Sequence, residues 1–173
     1  MDGDDRVSEQ VRDVYAHFGL AIYLAQVLDH GIVNALVVSQ HIPNNLKSFK
    51  SQEEWESAVD AFMDGLFASK TLGRLIGALK SAITLPEELG KLLSDALKTR
   101  NWLAHHYFRE RVLEFMSSSG RDQMIEELVG AQKLLSSADK ELDQLVRSLR
   151  EQYGMTEEAI AASCAEMFAS ASR

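Results

Sequence analysis

Apolar residues recur every three or four positions over most of this chain, which is the spacing of one face of an α-helix. The longest such pattern runs from about residue 6 to residue 40, and its stripe contains Val7, Val11, Val14, Phe18, Ile22, Ala25, Leu28, Ile32 and Leu36. Much of the rest of that predicted helix is apolar too, which indicates a helix buried in a bundle or one that crosses a membrane. Because Asp29, His30 and Asn34 interrupt the most apolar part, we predict a buried helix and no membrane span.

Cap and turn residues divide the middle of the chain. Residues 40–50, with Pro43 at their centre, predict a loop. Ser51 and Glu54 then form a capping box that opens a second helix, and a break near Lys70 separates it from a third segment over residues 71–80. Thr84 is a suitable N-cap for the next helix, since the proline two residues later is tolerated in a first helical turn.

The C-terminal third predicts one long helix and one short helix. A turn over residues 117–121 precedes an amphipathic pattern over residues 122–152, Gly154 ends that helix, and Thr156 caps a final helix. Cys164 lies on the apolar stripe of the final helix, so we expect it to be buried. Together these patterns predict an all-α chain, an antiparallel bundle of four to five helices in a single domain over residues 1–173, with residues 1–5 as a frayed tail.

Composition narrows the classes of protein that fit. The net charge of −8 argues against a protein that coats nucleic acid in general, although the segment 61–120 is net basic between two acidic segments. The single cysteine, with no signal peptide visible at the N-terminus, favours a cytoplasmic protein. The sequence has no Cys/His zinc spacing, no Glu-x-x-His pair, no Walker loop and no nucleophile elbow, so we predict no metal and no cofactor.

The densest group of reactive side chains lies in the helix that begins near residue 84 and is predicted to continue past residue 111. Arg100 falls on the apolar stripe of that helix, where an unpaired charge is costly, so it needs a partner. Asn101 and His105 form a second line about 100° further round the helix. In an ideal helix Arg100 and His105 are about 140° apart. Their end groups meet only if the arginine spans the gap, the helix distorts, or a second copy supplies the complementary group.

These residue types suit the cleavage of a phosphodiester bond. A histidine such as His105 can accept or donate a proton near neutral pH. An arginine such as Arg100 can hold a phosphate with two donors, and the amide of Asn101 can orient either group. RNA carries its own nucleophile, the 2′-hydroxyl, so this reaction needs no metal. The alternative is that the three side chains form only a structural network.

The stretch Arg100–His105 resembles the Arg-x4-6-His signature of the HEPN superfamily, with a polar residue directly after the arginine. Together with Tyr107 it is similar to the Arg-x4-His-x-Tyr form of HEPN toxins that are paired with small nucleotidyltransferase antitoxins. The resemblance implies a bundle of four or five helices, a homodimer with one composite site at its interface, and metal-independent cleavage of RNA. It also implies an antitoxin or another regulatory partner protein.

The resemblance assigns a role to each matching residue. Arg100 would stabilise charge on the phosphate, His105 would be the general acid and base, and Asn101 would support the site. Tyr107 matches the tyrosine that an antitoxin can nucleotidylate to block activity. The basic residues that flank the motif are candidates for RNA binding, unless they only form a solvated helix face: Lys98, Arg109 and Arg111.

A second function fits the same sequence. Many HEPN-like domains are not catalytic, and the Arg100 and His105 pair would then stabilise a dimer or bind a nucleotide or a partner protein. The acidic net charge and the apolar surface of the first helix suit a helical interaction module equally well. Toxicity on induced expression separates the two hypotheses, since only the nuclease predicts it.

Overall fold

The computed structural model of the chain describes residues 3–48 and 50–171, and every regular element within these ranges is helical. The prediction of an all-α fold is therefore confirmed. In chain order the elements are α1 (Gly3–Leu36), a π-helical turn (Val37–His41), α2 (Ile42–Asn45), a 3-10 turn (Leu46–Ser48), α3 (Gln52–Ser69), α4 (Leu72–Ala82), α5 (Glu87–His105), α6 (Tyr107–Glu110), α7 (Val112–Phe115), α8 (Ser118–Gln152) and α9 (Glu157–Ala171).

Helices α1 and α8 form the longest contact of the fold and hold most of its core between them. The side chains of Val14, Leu28, Ile32 and Leu36 on the predicted stripe of α1 are fully buried. Helix α8 faces them with Met124, Leu128, Leu135, Ala138 and Leu142. Helices α4 and α5 complete this core with Leu75, Leu79, Leu93 and Ala96. Each fully buried leucine stabilises the fold by about 1.5–3 kcal/mol relative to an exposed one.

The continuous helical stretch that begins with α1 is also the most apolar part of the described chain. By length and composition alone, the segment Val7–Ser48 could cross a membrane, but half of its most apolar window is buried inside the structure. A core helix of a folded domain has the same two properties. The packing of α1 against α8 buries part of this apolar surface.

The segment 40–50 differs from the predicted loop. The chain continues from α1 through the π-helical turn, α2 and the 3-10 turn, so residues 40–48 are helical. Pro43 does not interrupt this path because it lies in the first turn of α2, where its missing N–H is not needed. His41 and Ile42 are buried against α3, beside Trp55 and Phe62. This packing explains why the segment stays ordered as helix.

Several predicted helix ends are confirmed, and others are shifted. Ser51 accepts a hydrogen bond from the backbone N–H of Glu54 (3.2 Å), and Gly154 adopts the left-handed conformation (φ 76°) that ends α8. Thr156 caps α9 through the N–H of Ala159 (3.2 Å). Helix α8 begins at Ser118, inside the predicted turn, because Ser117 caps it. Pro86, not Thr84, occupies the N-cap position of α5.

The two ends of the chain depart from the predictions. Helix α1 begins at Gly3, so the backbone of residues 3–5 is helical, and residues 1 and 2 of the predicted frayed tail lie outside the described part. All the described side chains of α9 are exposed, Cys164 among them. The prediction that Cys164 is buried is therefore wrong. The apolar stripe of α9 is therefore not packed into the core, as far as its described side chains show.

Candidate active site

Helix α5 carries the motif, and the acidic first turn and apolar stripe of this helix determine how it starts and which face it buries. Glu87 and Glu88 lie in its first turn, where the helix dipole favours negative charge, and both pair with Lys91 (2.9 and 3.5 Å). Leu93 and Ala96 on its apolar stripe are fully buried against α1 and α8. The stripe therefore turns the next position along it, Arg100, toward the neighbouring helices.

The predicted continuous helix through the motif ends at His105. His106 leaves the helical conformation (φ −130°, ψ −27°), although its N–H still bonds to the carbonyl of Trp102 (2.9 Å). The chain resumes as the two short helices α6 and α7 before the turn into α8. The distortion lies after the motif, so it does not by itself bring Arg100 and His105 together.

Tyr107 follows this break and lies in the core, with its side chain 1% exposed. Its ring stacks on Phe18 (5.8 Å between centroids) and meets the edge of Trp102 (4.8 Å). Its hydroxyl donates a hydrogen bond to the carbonyl of Met124 (3.0 Å). Burial, with a smaller contribution from the charge of Glu127, raises the pKa of the Tyr107 phenol. The tyrosine that the resemblance marks for modification is thus enclosed in the folded chain.

A clamp formed by Trp102, Glu110, Arg111 and Glu127 holds the break in place. Arg111 donates two hydrogen bonds to the carboxylate of Glu127, from Nε (2.8 Å) and Nη2 (3.0 Å), and these bonds raise the pKa of Arg111. Its guanidinium also lies 5.2 Å from the centre of the Trp102 ring. The indole N–H of Trp102 donates to Glu110 (2.8 Å). Arg111, a predicted RNA-binding residue, is therefore already engaged inside the molecule.

Arg100 has a different environment. Its Nη2 lies 4.0 Å from Oδ2 of Asp29 on α1, and its Nη1 donates to the side-chain oxygen of the adjacent Asn101 (3.2 Å). Its side chain is 33% exposed, so the guanidinium reaches solvent beside α1. The partner that a charge on the apolar stripe needs is thus Asp29. Sequence reasoning treated Asp29 only as a polar interruption of the apolar run, and the spacing gave no signal that it faces Arg100.

Asp29 itself is an unusual carboxylate. Burial raises its pKa, whereas the charges of Arg100 and His30 lower it, and burial is the largest of the three effects. Its Oδ1 is buried and has no hydrogen-bond partner among the described residues. A buried carboxylate oxygen without a donor is costly, so the fold gains little from this placement.

Asn101 and His105 are both exposed, with Asn101 in contact with Arg100 and His105 further round α5. The ring of His105 lies 6.2 Å from the ring of His106, and no hydrogen bond joins it to Arg100 within the described chain. The remaining predicted RNA-binding residues have local partners. Lys98 pairs with Asp95 (2.9 Å), and Arg109 lies 3.1 Å from Nδ1 of His106. One copy of the chain thus exposes the motif without assembling it into a single cluster.

Comparisons with known proteins identify no relative of this chain. The chain matches no family model, and it matches neither a curated protein nor a solved structure. Within residues 3–48 and 50–171, no three His, Cys, Asp or Glu side chains are grouped so that they could hold a metal ion. The HEPN resemblance therefore depends on the motif in α5 and on the all-helical fold.

Proposed function

We propose that this chain is a metal-independent endoribonuclease of the HEPN type, with a role as a toxin or in defence. The all-helical character of the described chain, with α1 packed on α8, supports the proposal, since an all-helical bundle is what this class of protein uses. Arg100 would stabilise the negative charge of the phosphate, His105 would transfer the proton, and Asn101 would orient them.

The proposal depends on one observation: the side chains of Arg100 and His105 can still bind a ligand, whereas that of the nearby Arg111 is already engaged. Arg111 uses two donors on a carboxylate of its own chain, whereas Arg100 gives one donor to Asn101, approaches Asp29 only to 4.0 Å, and keeps its other donors for a ligand. Asn101 and His105 are exposed on the same helix end. Arg100 is paired with Asn101, but His105 has no hydrogen bond to either of them among the described residues, so one copy of the chain pairs only part of the motif.

A second copy of the chain completes the proposed site. Arg100 and His105 point about 140° apart on α5, so one copy holds the phosphate while the other supplies the proton-transfer group. Helix α1 exposes the large side chains of Tyr15, Leu20 and Tyr23. Tyr15 also packs on Phe108 just after the motif (5.5 Å). We propose the part of α1 around Tyr15 as the dimer interface, because this exposed aromatic side chain lies next to the motif.

The proposal also includes a location in the cell and a partner protein. We place the protein in the cytoplasm, without a membrane, and with an antitoxin or another regulatory protein as a partner. These assignments follow from the single cysteine and from the motif.

Purified wild-type protein, His105→Ala and His106→Ala, each incubated with total RNA and tRNA in EDTA, test the proposal. We expect wild type and His106→Ala to cleave RNA and leave 2′,3′-cyclic phosphate ends, and His105→Ala to be inactive. His106 is the matched control because it is the neighbouring exposed histidine. Cleavage by a folded His105→Ala protein contradicts the proposal. The intact mass of the same wild-type sample shows whether Tyr107 carries a nucleotide.

A non-catalytic interaction module is the second candidate, and one surface favours it. Helix α7 and the residue after it expose Val112, Leu113 and Met116, the second of these 82% accessible. Neighbouring large apolar side chains that are exposed at the surface commonly contact another protein. Under this alternative the wild-type protein neither cleaves RNA nor inhibits growth on induced expression, and it still forms a dimer in light scattering.

A further inference from the structure

The geometry points to Asp29 as the residue that positions Arg100 for its contact with a phosphate. This inference builds on the proposed function, because it gives Asp29 a role in the same site. Asp29 lies on α1 and Arg100 on α5, so the contact joins two different helices of the bundle. Neither the motif nor the spacing of residues in the sequence identifies this aspartate.

The contact is directed rather than incidental. Oδ2 of Asp29 faces Nη2 of Arg100 at 4.0 Å, while Nη1 of Arg100 is held by Asn101 at 3.2 Å. The guanidinium is thus located from two sides, by a carboxylate of α1 and by an amide of its own helix. Because a guanidinium is planar and has five N–H donors, these two contacts orient it and leave other donors free for a phosphate.

The placement of Asp29 does not serve stability. Its carboxylate is 20% exposed, its Oδ1 is buried without a donor, and its distance to Arg100 is too long for a good hydrogen bond. Burying a carboxylate in this way opposes folding, and burial accordingly raises the pKa of Asp29. A group that costs stability and faces the motif arginine has the character of a functional residue.

A phosphate at Arg100 would bring negative charge close to Asp29. The carboxylate therefore cannot also bind the phosphate, and its role must act through the guanidinium. In the free protein it keeps the guanidinium of Arg100 against α1. Removing it would let this long side chain adopt other rotamers, and the loss of orientation slows the chemical step more than it weakens binding.

Steady-state cleavage by Asp29→Asn tests the inference. We expect kcat to fall about ten- to a hundredfold with a smaller change in KM, because misplacing a positioned group by about 1 Å costs up to about a hundredfold. Asp29→Glu keeps the charge and should recover part of the rate. Asp139→Asn is the matched control, since Asp139 is also a partly buried aspartate with a raised pKa but makes no contact with Arg100. An unchanged kcat in folded Asp29→Asn overturns the inference.

A double-mutant comparison separates positioning from a general effect on the fold. If Asp29 acts through Arg100, then Asp29→Asn with Arg100→Gln should cleave no more slowly than Arg100→Gln alone. Equal losses from Asp29→Asn in both backgrounds would show that Asp29 acts by another route.

A titration that needs no catalysis keeps this inference separate from the proposed nuclease. The carboxyl carbon of Asp29, labelled with carbon-13 and followed by NMR, should titrate at higher pH in Arg100→Gln, because Arg100 lowers the pKa of Asp29. His30, the other charge that acts on Asp29, remains in place. An unchanged titration overturns the link between the two residues. A shifted titration in a protein that does not cleave RNA supports the link and refutes the nuclease.

Discussion

Arg100 and Arg111 lie on either side of the helix break, and their side chains are similarly exposed, 33% and 25%. Their contacts differ. Arg111 makes two short hydrogen bonds to Glu127 and covers the Trp102 ring, whereas Arg100 approaches Asp29 only to 4.0 Å. The comparison teaches that exposure does not distinguish a structural arginine from an available one. The number and geometry of the donors already used make that distinction.

The same contrast holds for the segments that carry these residues. The clamp around Arg111 fixes the corner between α5 and α8, with Tyr107 beneath it in the core. Near the end of α5, the side chains of Asn101 and His105 are exposed to solvent. A rigid corner next to an open helix end is a suitable base for a binding site, because the packed part holds the exposed part in place.

Breaking the clamp should have the largest effect on stability. Arg111→Ala leaves the partly buried carboxylate of Glu127 without its two donors, so we expect the free energy of unfolding to fall by about 2 kcal/mol, measured by urea denaturation. Arg100→Gln is the comparison variant and should lose less stability, because Arg100 approaches Asp29 only to 4.0 Å. If both variants lose equal stability, the two arginines do not differ as we infer.

Removing the hydroxyl of Tyr107 should lower the free energy of unfolding by less than breaking the clamp does. Tyr107→Phe keeps the ring in the core and loses only the hydrogen bond to the carbonyl of Met124, which costs about 1 kcal/mol for a typical buried bond. Thermal unfolding measures this loss. A variant as stable as the wild type would show that the hydroxyl does not hold the corner, and that only the packing of the ring matters.

The smallest expected effect is a change in the pH dependence of stability. Since the pKa of Asp29 is raised in the folded protein, the native state binds a proton more tightly than the unfolded chain, and stability falls as pH rises through that range. Asp29→Asn should therefore have a slightly higher Tm than the wild type at pH 7. The difference should shrink as the pH falls below the raised pKa of Asp29. A lower Tm at pH 7 contradicts a destabilising role for this carboxylate.

Periodicity predicted the fold well wherever a helix packs on the core. The buried residues of α1, such as Leu28 and Ile32, lie on the stripe read from the sequence. The failures have a common cause, since local patterns do not show what a segment packs against. Residues 40–48 resemble a loop but are helical and pack on α3, and the stripe with Cys164 resembles a core face but is exposed.

The motif could be found from sequence, but its surroundings could not. The need for a partner at Arg100 followed from its place on an apolar stripe. The identity of that partner required the packing of α5 on α1, which no local spacing encodes. Similarly, Arg111 looked like one more basic residue near the motif, and only the fold places Glu127 opposite it.

The enclosure of Tyr107 has a kinetic consequence. An enzyme that modifies its hydroxyl cannot reach it while the hydroxyl bonds to the carbonyl of Met124 inside the core. Such a modification must wait for local opening of the corner after α5, or act on the chain before it has folded. In the folded protein its rate would equal the enzyme's rate on an open chain multiplied by the small fraction of molecules that are open. A newly made chain would be labelled quickly, and a mature one slowly.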